Sequence, residues 1–260
     1  MREIPRFVAD FRAALVVVAF ATVWSSTVLR AQVTVQPFYL EKTISEEAGS
    51  GTMQAFKKEI SARRSDGSTV RIDSYGGAGG LAAGLYHREI TFSDGRKIEL
   101  LDHIQVKSTY PPLSPEELNR FLANFTNPRK DCGVRPPIQT DAVNGVPVVV
   151  TNSGGGGFRI TSWQAPTLGC ETVYSKAEQM GPNGSSRISA ETKPTVLILG
   201  EPDPQLFEPG ANAVELKPSE ALDRSLDDLI RALGVPLSAG DRAEILKEAI
   251  PKDRAYLSGR

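Results

Sequence analysis

Residues 53–75 read MQAFKKEISARRSDGSTVRIDSY, and this stretch decides the fold class. Extended character runs to about Arg64, Ser65-Asp66-Gly67 supplies turn chemistry, and Val70 and Ile72 return on one face with period two. Two strands joined by so short a turn pair antiparallel. The device repeats at once: YHREITF (86–92) sets Tyr86, Ile90 and Phe92 on one side, and Ser93-Asp94-Gly95 turns the chain. RKIELLDHIQVKSTY (96–110) then returns as one strand, with Ile98, Leu100, Ile104 and Val106 in a period-two series. A half-buried antiparallel sheet is the consequence. The basic run KKEISARR (57–64) is expected on its solvated face.

Working outward, QVTVQPFYL (32–40) meets Pro37 early, which suits an edge or first strand. In PPLSPEELNRFLANF (111–125), Ser114 and Glu117 form a capping box and Pro115 fits the first helical position. Leu118, Phe121, Leu122 and Phe125 share one face, so this helix is expected to lie against the sheet. Strands resume at VPVVVT (146–151), GFRITSWQA (157–165), CETVYSK (170–176), SSRISAE (185–191) and TVLILG (195–200), punctuated by NSGGGG, PTLG and GPNG. Loops this short imply a meander. Beyond Pro218, SLDDLIRALGVP carries a helix capped by Ser225, and SAGDRAEILKEAIP a second, shorter one. Helices that gather after a run of strands indicate α+β rather than alternating βαβ units.

The chain begins with Arg2, Arg6 and Arg12, then the apolar AALVVVAFATVW, then small polar residues ending at Ala31. That order reads as a signal peptide over 1–31, cut to leave Gln32 first, with no stable membrane anchor afterwards. An uncleaved anchor is the alternative, since the uncharged run 13–29 approaches the length that spans a bilayer. The whole chain carries a net charge of −1, and the first 31 residues hold four arginines and two acids, so the remainder is near −3. Such a balance offers no footprint for nucleic acid. The expected domains are 1–31, an antiparallel β domain with one helix over 32–218, and a helical segment over 219–260. The expected location is periplasmic or secreted.

Only two cysteines occur, Cys132 and Cys170. An even count in an exported chain reads first as a disulfide. Closing a loop of about 39 residues would stabilise the fold by roughly 4 kcal/mol through chain entropy.

Motifs that carry chemistry are scarce. YGGAGGLA (75–82) has dinucleotide-loop spacing but no helix after it, and SGGGGF (153–158) has no Lys-Ser/Thr and leads into a strand; both read as loops, the second as a mobile hairpin connection. His87 and His103 are the two histidines, both in strand patterns, beside Glu89 and Asp102. No paired-histidine spacing accompanies them, so no metal is expected. No serine stands in a G-x-S-x-G elbow, and neither catalytic residues nor a cofactor are expected. Glu116-Glu117 and Asp227-Asp228 fall in first turns of helices, where the dipole favours them, and Glu46-Glu47 in a loop. Along FRITSW, Phe158, Ile160 and Ser162 share one face and Arg159, Thr161 and Trp163 the other. Trp163 then either packs plainly or lines a cavity under a sheet apolar on both sides.

The segments RRSDGSTVRI (63–72), TFSDGRKIEL (91–100), PRKDCGV (128–134), SWQAPTLGCETVYS (162–175) and GEPDPQLFEPGANAVELKPSEAL (200–222) resemble those of exported bacterial proteins of acidobacterial type. Over residues 33–218 the succession of hairpins is similar to the periplasmic lipoprotein-carrier, or lipoprotein-sorting, fold. The resemblance implies a curved meander sheet or incomplete β-barrel with helices on its concave side, and no site residue carries over. Two functions follow as expectations. One is a non-enzymatic binding protein sheltering a lipid or other apolar ligand near Trp163, Phe158, Phe121 and Phe125. The other is a protein-interaction domain that docks a partner through a sheet edge or the C-terminal helices.

Overall fold

The hairpin of residues 53–75 lies near the middle of the sheet. β2 (Met53–Arg63) and β3 (Thr69–Tyr75) pair antiparallel, with Ala62 opposite Val70 and Ile60 opposite Ile72. Gly67, at φ 91°, takes the left-handed position, and Asp66 Oδ1 accepts the Ser68 N–H at 2.8 Å. The second Ser-Asp-Gly turn works alike, joining β4 (Leu85–Thr91) to β5 (Lys97–Leu101) with Asp94 Oδ1 accepting from Arg96 N. The chain, seen here as a computed structural model, is described over residues 35–47, 51–75, 85–126, 131–133, 139–181, 183–233, 238–247 and 249–257.

These strands belong to an open, curved sheet of twelve strands among the described residues, in the order β12-β6-β5-β4-β3-β2-β1-β11-β10-β9-β8-β7. All pairs are antiparallel except β12 (Val214–Glu215) with β6 (Val106–Tyr110). β1 (Phe38–Glu47) joins two meanders, with β2 on one side and β11 (Ser186–Leu199) on the other. It is therefore central and not an edge: Pro37 precedes the first paired residue, so no ladder N–H is lost.

Several local readings are corrected. The stretch 96–110 is two strands, because a 3-10 turn over Asp102–Ile104 and a left-handed Gln105 (φ 52°) reverse the chain. Ile104 and His103 thus leave the period-two series. β11 is one strand where two were expected. Its Pro194 sits beside a bulge that pairs Lys42 with Pro194 but Glu41 with Val196, an irregularity that tolerates a residue without an N–H. β8 (Val146–Gly155) runs through Asn152–Gly155, leaving only Gly156-Gly157 as the turn into β9 (Phe158–Ala165). A further strand, β7 (Gln139–Val143), precedes β8 through an Asn144-Gly145 turn. Glu46 and Glu47 end β1, and Glu47 meets Arg187 at 2.9 Å.

Among the described residues two apolar clusters form much of the core. Phe38, Leu40, Val146, Val148, Ala165, Leu168 and Val173 form one; Ala62, Val70, Ile90, Ile98, Leu100 and Phe207 form the other. Phe207, from a 3-10 turn at Pro204–Phe207, covers β2–β5 on their apolar face. Burying a side chain of this size contributes about 2–3 kcal/mol.

The opposite face of β4–β6 lies under the C-terminal helices. α1 (Pro115–Thr126) has its capping box, with Ser114 Oγ accepting the Glu117 N–H and donating to Glu117 Oε2. The Phe121, Leu122 and Phe125 side chains lie outside the described residues. α2 (Pro218–Leu233) starts earlier than the Ser225 cap implied, so Ser225, Asp227 and Asp228 are interior; Asp227 Oδ1 instead takes the Arg242 guanidinium of α3 (Ala239–Lys247) at 2.7 Å. A third C-terminal helix, α4 (Ile250–Leu257), closes the cover, tied to α2 by the Ser219 N–H donating to Asp253 Oδ1. No helix among the described residues is long and apolar enough to cross a membrane. The glycine-rich 76–82 segment lies outside the described residues.

Candidate binding cleft

Strand register builds one row of side chains across six strands. Lys42, Glu59, Asp73, His87, Leu101 and Val106 are successive cross-strand partners from β1 to β6. The neighbouring row is Leu40, Ser61, Arg71, Glu89, Glu99 and Ser108. Because alternate residues share a face, this side of β2–β4 is polar and charged while the other carries the cluster of Ala62, Val70 and Ile90. The KKEISARR run is thus not a solvated face: Glu59, Ser61 and Arg63 are buried.

At the β1 end the charges neutralise one another. Lys42, 4% exposed, contacts Glu59 at 2.6 Å and Glu171 at 2.7 Å, and donates to the Thr172 carbonyl. Burial pulls its ammonium down, but the Glu171 and Glu59 charges outweigh that and hold its pKa above the ordinary lysine value. Glu59 also receives Arg71, and Lys57 pairs with Asp73 at 2.9 Å.

At the β4–β6 end the row runs into a cavity of about 270 Å³ between the sheet and the helices. His87, Glu99, Ser108 and Lys252 supply its polar wall; Leu101, Val106, Ala221, Leu222 and Ala249 the apolar one. A second cavity of about 480 Å³ lies on the other side of Glu99 and Lys252, bounded by Lys97, Tyr110, Pro112, Leu113 and Pro251. Glu99 receives Lys97 at 3.0 Å, the Tyr110 hydroxyl at 3.0 Å, and Lys252 at 3.2 Å. Burial pushes the Glu99 carboxyl up, yet the Lys97 and Lys252 charges hold it below the usual carboxylate range. The His87 imidazole has no hydrogen-bond partner among the described residues. Burial lowers its pKa, against the raising effect of Glu99, Asp73 and Glu89, so the ring is favoured neutral.

The serines near the two histidines among the described residues are placed as follows. Ser108 Oγ donates to the Leu216 carbonyl at 2.8 Å, which turns its proton away from His87. His103 Nε2 lies 3.5 Å from Ser225 Oγ, at the outer limit of a hydrogen bond, and Nδ1 faces the Tyr86 carbonyl. Ser225 is interior to α2, where backbone N–H groups serve the helix and none is free for an oxyanion. Asp102, the acid next to His103, is held by Arg88 at 2.7 Å. Among the described residues no group of three His, Cys, Asp or Glu side chains is placed to hold a metal.

Trp163 and Phe158, singled out in sequence, do not line these cavities. Trp163 stands across from Val150 and Tyr174, its ring 4.6 Å from that of Tyr174, and its indole N–H donates to Asp141 Oδ2 at 3.1 Å. It is half-buried against the Phe38–Leu40 cluster. Phe158 is on the opposite face of β9 and 48% exposed, and its neighbour Ile160 is exposed as well. The inward residues of β9 are Thr161, Trp163 and Ala165, so the structure does not bring Phe158 and Trp163 together. Cys132 and Cys170 form a disulfide with Cα atoms 5.4 Å apart. Cys170 ends the 166–169 turn in the left-handed region, and β10 (Glu171–Met180) starts after it. Lys252, Ala249 and Leu222 carry no mark in the sequence; only His87, beside Glu89, drew attention.

No protein-family model matches the chain. No curated protein matches it either. Among solved structures, PNGF-II in a C2 crystal form aligns at 17% identity over 75% of this chain and 33% of its own, with a TM-score of 0.40. Its P21 form gives 14% identity, the same coverage and a TM-score of 0.39. The chain thus spans about a third of the length of PNGF-II. A Vibrio parahaemolyticus domain described as an outer membrane lipoprotein-sorting protein domain aligns at 10% identity over 66% of this chain and 89% of its own, with a TM-score of 0.28. Likenesses this distant establish neither an activity nor a relationship.

Proposed function

We propose that the protein is an exported, non-enzymatic binding protein that takes one apolar or amphipathic ligand in the cleft between its curved sheet and C-terminal helices. The observation that carries this is the pair of cavities meeting at Glu99 and Lys252, where apolar side chains of both sheet and helices lie beside the polar His87, Glu99, Ser108 and Lys252. The smaller falls near the lower bound, and the larger within the range, of roughly 300–1,000 Å³ typical of ligand sites. Export agrees with the disulfide, a bond that persists in oxidising compartments, and with the signal-like order of residues 1–31. The helical segment from 219 onward then serves as the cover of the site. N-terminal sequencing of exported protein is expected to start at Gln32.

Native mass spectrometry of protein from its own compartment, followed by solvent extraction, tests the binding role. A co-purifying amphiphile that is lost in Ala221→Trp, which fills the cleft, is the expected result; a clean mass for the parent protein counts against it. A second reading, a protein-interaction domain, is favoured by a separate observation: Phe158 and Ile160, on one face of β9, are large, apolar and exposed. Self-association or a captured protein, with an empty cleft, supports that reading instead.

A further inference from the structure

Lys252 is the cation that lines both cavities, and it is the partner Glu99 can lose most easily. Its side chain is 52% exposed, and its ammonium sits 3.2 and 3.3 Å from the two Glu99 oxygens. Pairs so exposed are weak. Glu99, in contrast, is 12% exposed and keeps Lys97 and the Tyr110 hydroxyl when Lys252 leaves. Across the first cavity stands His87, whose neutral ring has one N–H to donate and no partner among the described residues. Between them run Leu101 and Val106 of the sheet and Ala221 and Leu222 of α2.

Resting on the cleft-binding function proposed above, we infer that the ligand is a single-chain amphiphile with an anionic head, which draws Lys252 away from Glu99 and also accepts a hydrogen bond from His87. The apolar chain lies along Leu101, Val106, Ala221 and Leu222. Turning Lys252 from Glu99 joins the two cavities, which the ion pair otherwise separates. A cationic head has no such place, because Lys97 and Tyr110 already occupy Glu99 and Lys57 occupies Asp73. A neutral head gains the His87 hydrogen bond but no charge partner.

Titration calorimetry of the full mature chain with decanoate, 1-decanol and decylamine at pH 7.5 tests the head group. Decanoate is expected to bind at least tenfold tighter than decanol, with decylamine weakest. Lys252→Gln is expected to abolish the decanoate preference, and Lys252→Arg to restore it. The head-group inference is overturned if decanol binds as tightly as decanoate, or if Lys252→Gln keeps the preference; the cleft reading then still stands. If none of the three probes binds, or Ala221→Trp leaves binding unchanged, both fail together. Thermal melts of each variant separate lost binding from lost folding.

Discussion

Lys252 on α4 reaches both carboxylate oxygens of Glu99 on β5, across 153 residues of chain, and this contact sits where the helical cover meets the charged sheet face. Its two ends are unequal: Lys252 is half-exposed, and Glu99 is held by two further donors. Replacement of Lys252 by Gln is therefore expected to change stability by less than about 1 kcal/mol. Glu99→Gln removes the charge that Lys97 faces in a partly buried site, and is expected to cost about 1–3 kcal/mol. Urea midpoints of the two variants and their double mutant measure the difference, and equal losses for the two single variants would contradict it.

Stability is expected to fall in acid in two steps. The His87 pKa is lowered in the folded protein, so the unfolded chain binds its proton first, and stability drops as pH falls below about 6.5. The Glu99 pKa is also lowered, so its contribution is present above the ordinary carboxylate pKa and lost as pH falls through the folded value. Urea unfolding between pH 8 and 3 reads both steps. His87→Gln should remove the upper step alone, and an unchanged upper step would assign it to another group.

The Cys132–Cys170 bond closes a loop that spans the region between α1 and β10. Its reduction, or replacement of both cysteines by serine, is expected to cost about 2–4 kcal/mol. Denaturant midpoints with and without reductant check this, and two reactive thiols in denatured, unreduced protein would contradict the bond itself.

Lys42 is the buried cation of the central strand, facing Glu59 and Glu171. Lys42→Ala removes that cation from two carboxylates, of which Glu59 keeps Arg71 and Glu171 is part-exposed, and is expected to cost about 3 kcal/mol. The double change Lys42→Met with Glu59→Leu is expected to recover part of that loss, since Arg71 and Lys57 keep Asp73 and only the part-exposed Glu171 is left without its cation. A double variant as unstable as Lys42→Ala would show that the pair is not exchangeable.

The antiparallel β character was legible because turn chemistry is local. Ser65-Asp66-Gly67 and Ser93-Asp94-Gly95 each carry an Asx hydrogen bond and a left-handed glycine within a few residues. The α1 cap was legible for the same reason, through Ser114 and Glu117. Gln105 defeated the reading of 96–110 because a left-handed Gln carries no sequence signal, whereas Asn144-Gly145 was a readable turn signal that marks β7. In β9 the rule of alternation held, but which face is inward was not legible. Thr161, Trp163 and Ala165 face the packed side while Phe158 and Ile160 are exposed, since burial depends on what lies across the strand and not on hydrophobicity alone.

Sequence by itself determined the antiparallel β character, the two Ser-Asp-Gly hairpin turns, the helix start capped by Ser114, and the two cysteines that pair. All of these rest on interactions within a few residues or on an even count of thiols. Only the tertiary structure decided that β1 is the seam of the sheet, that Glu59, Ser61 and Arg63 of KKEISARR are buried, and that His87, Glu99 and Lys252 line a common cleft. Those outcomes depend on strand order and on where α2 and α4 dock, and such contacts between residues more than a hundred positions apart leave no periodicity in the chain that makes them.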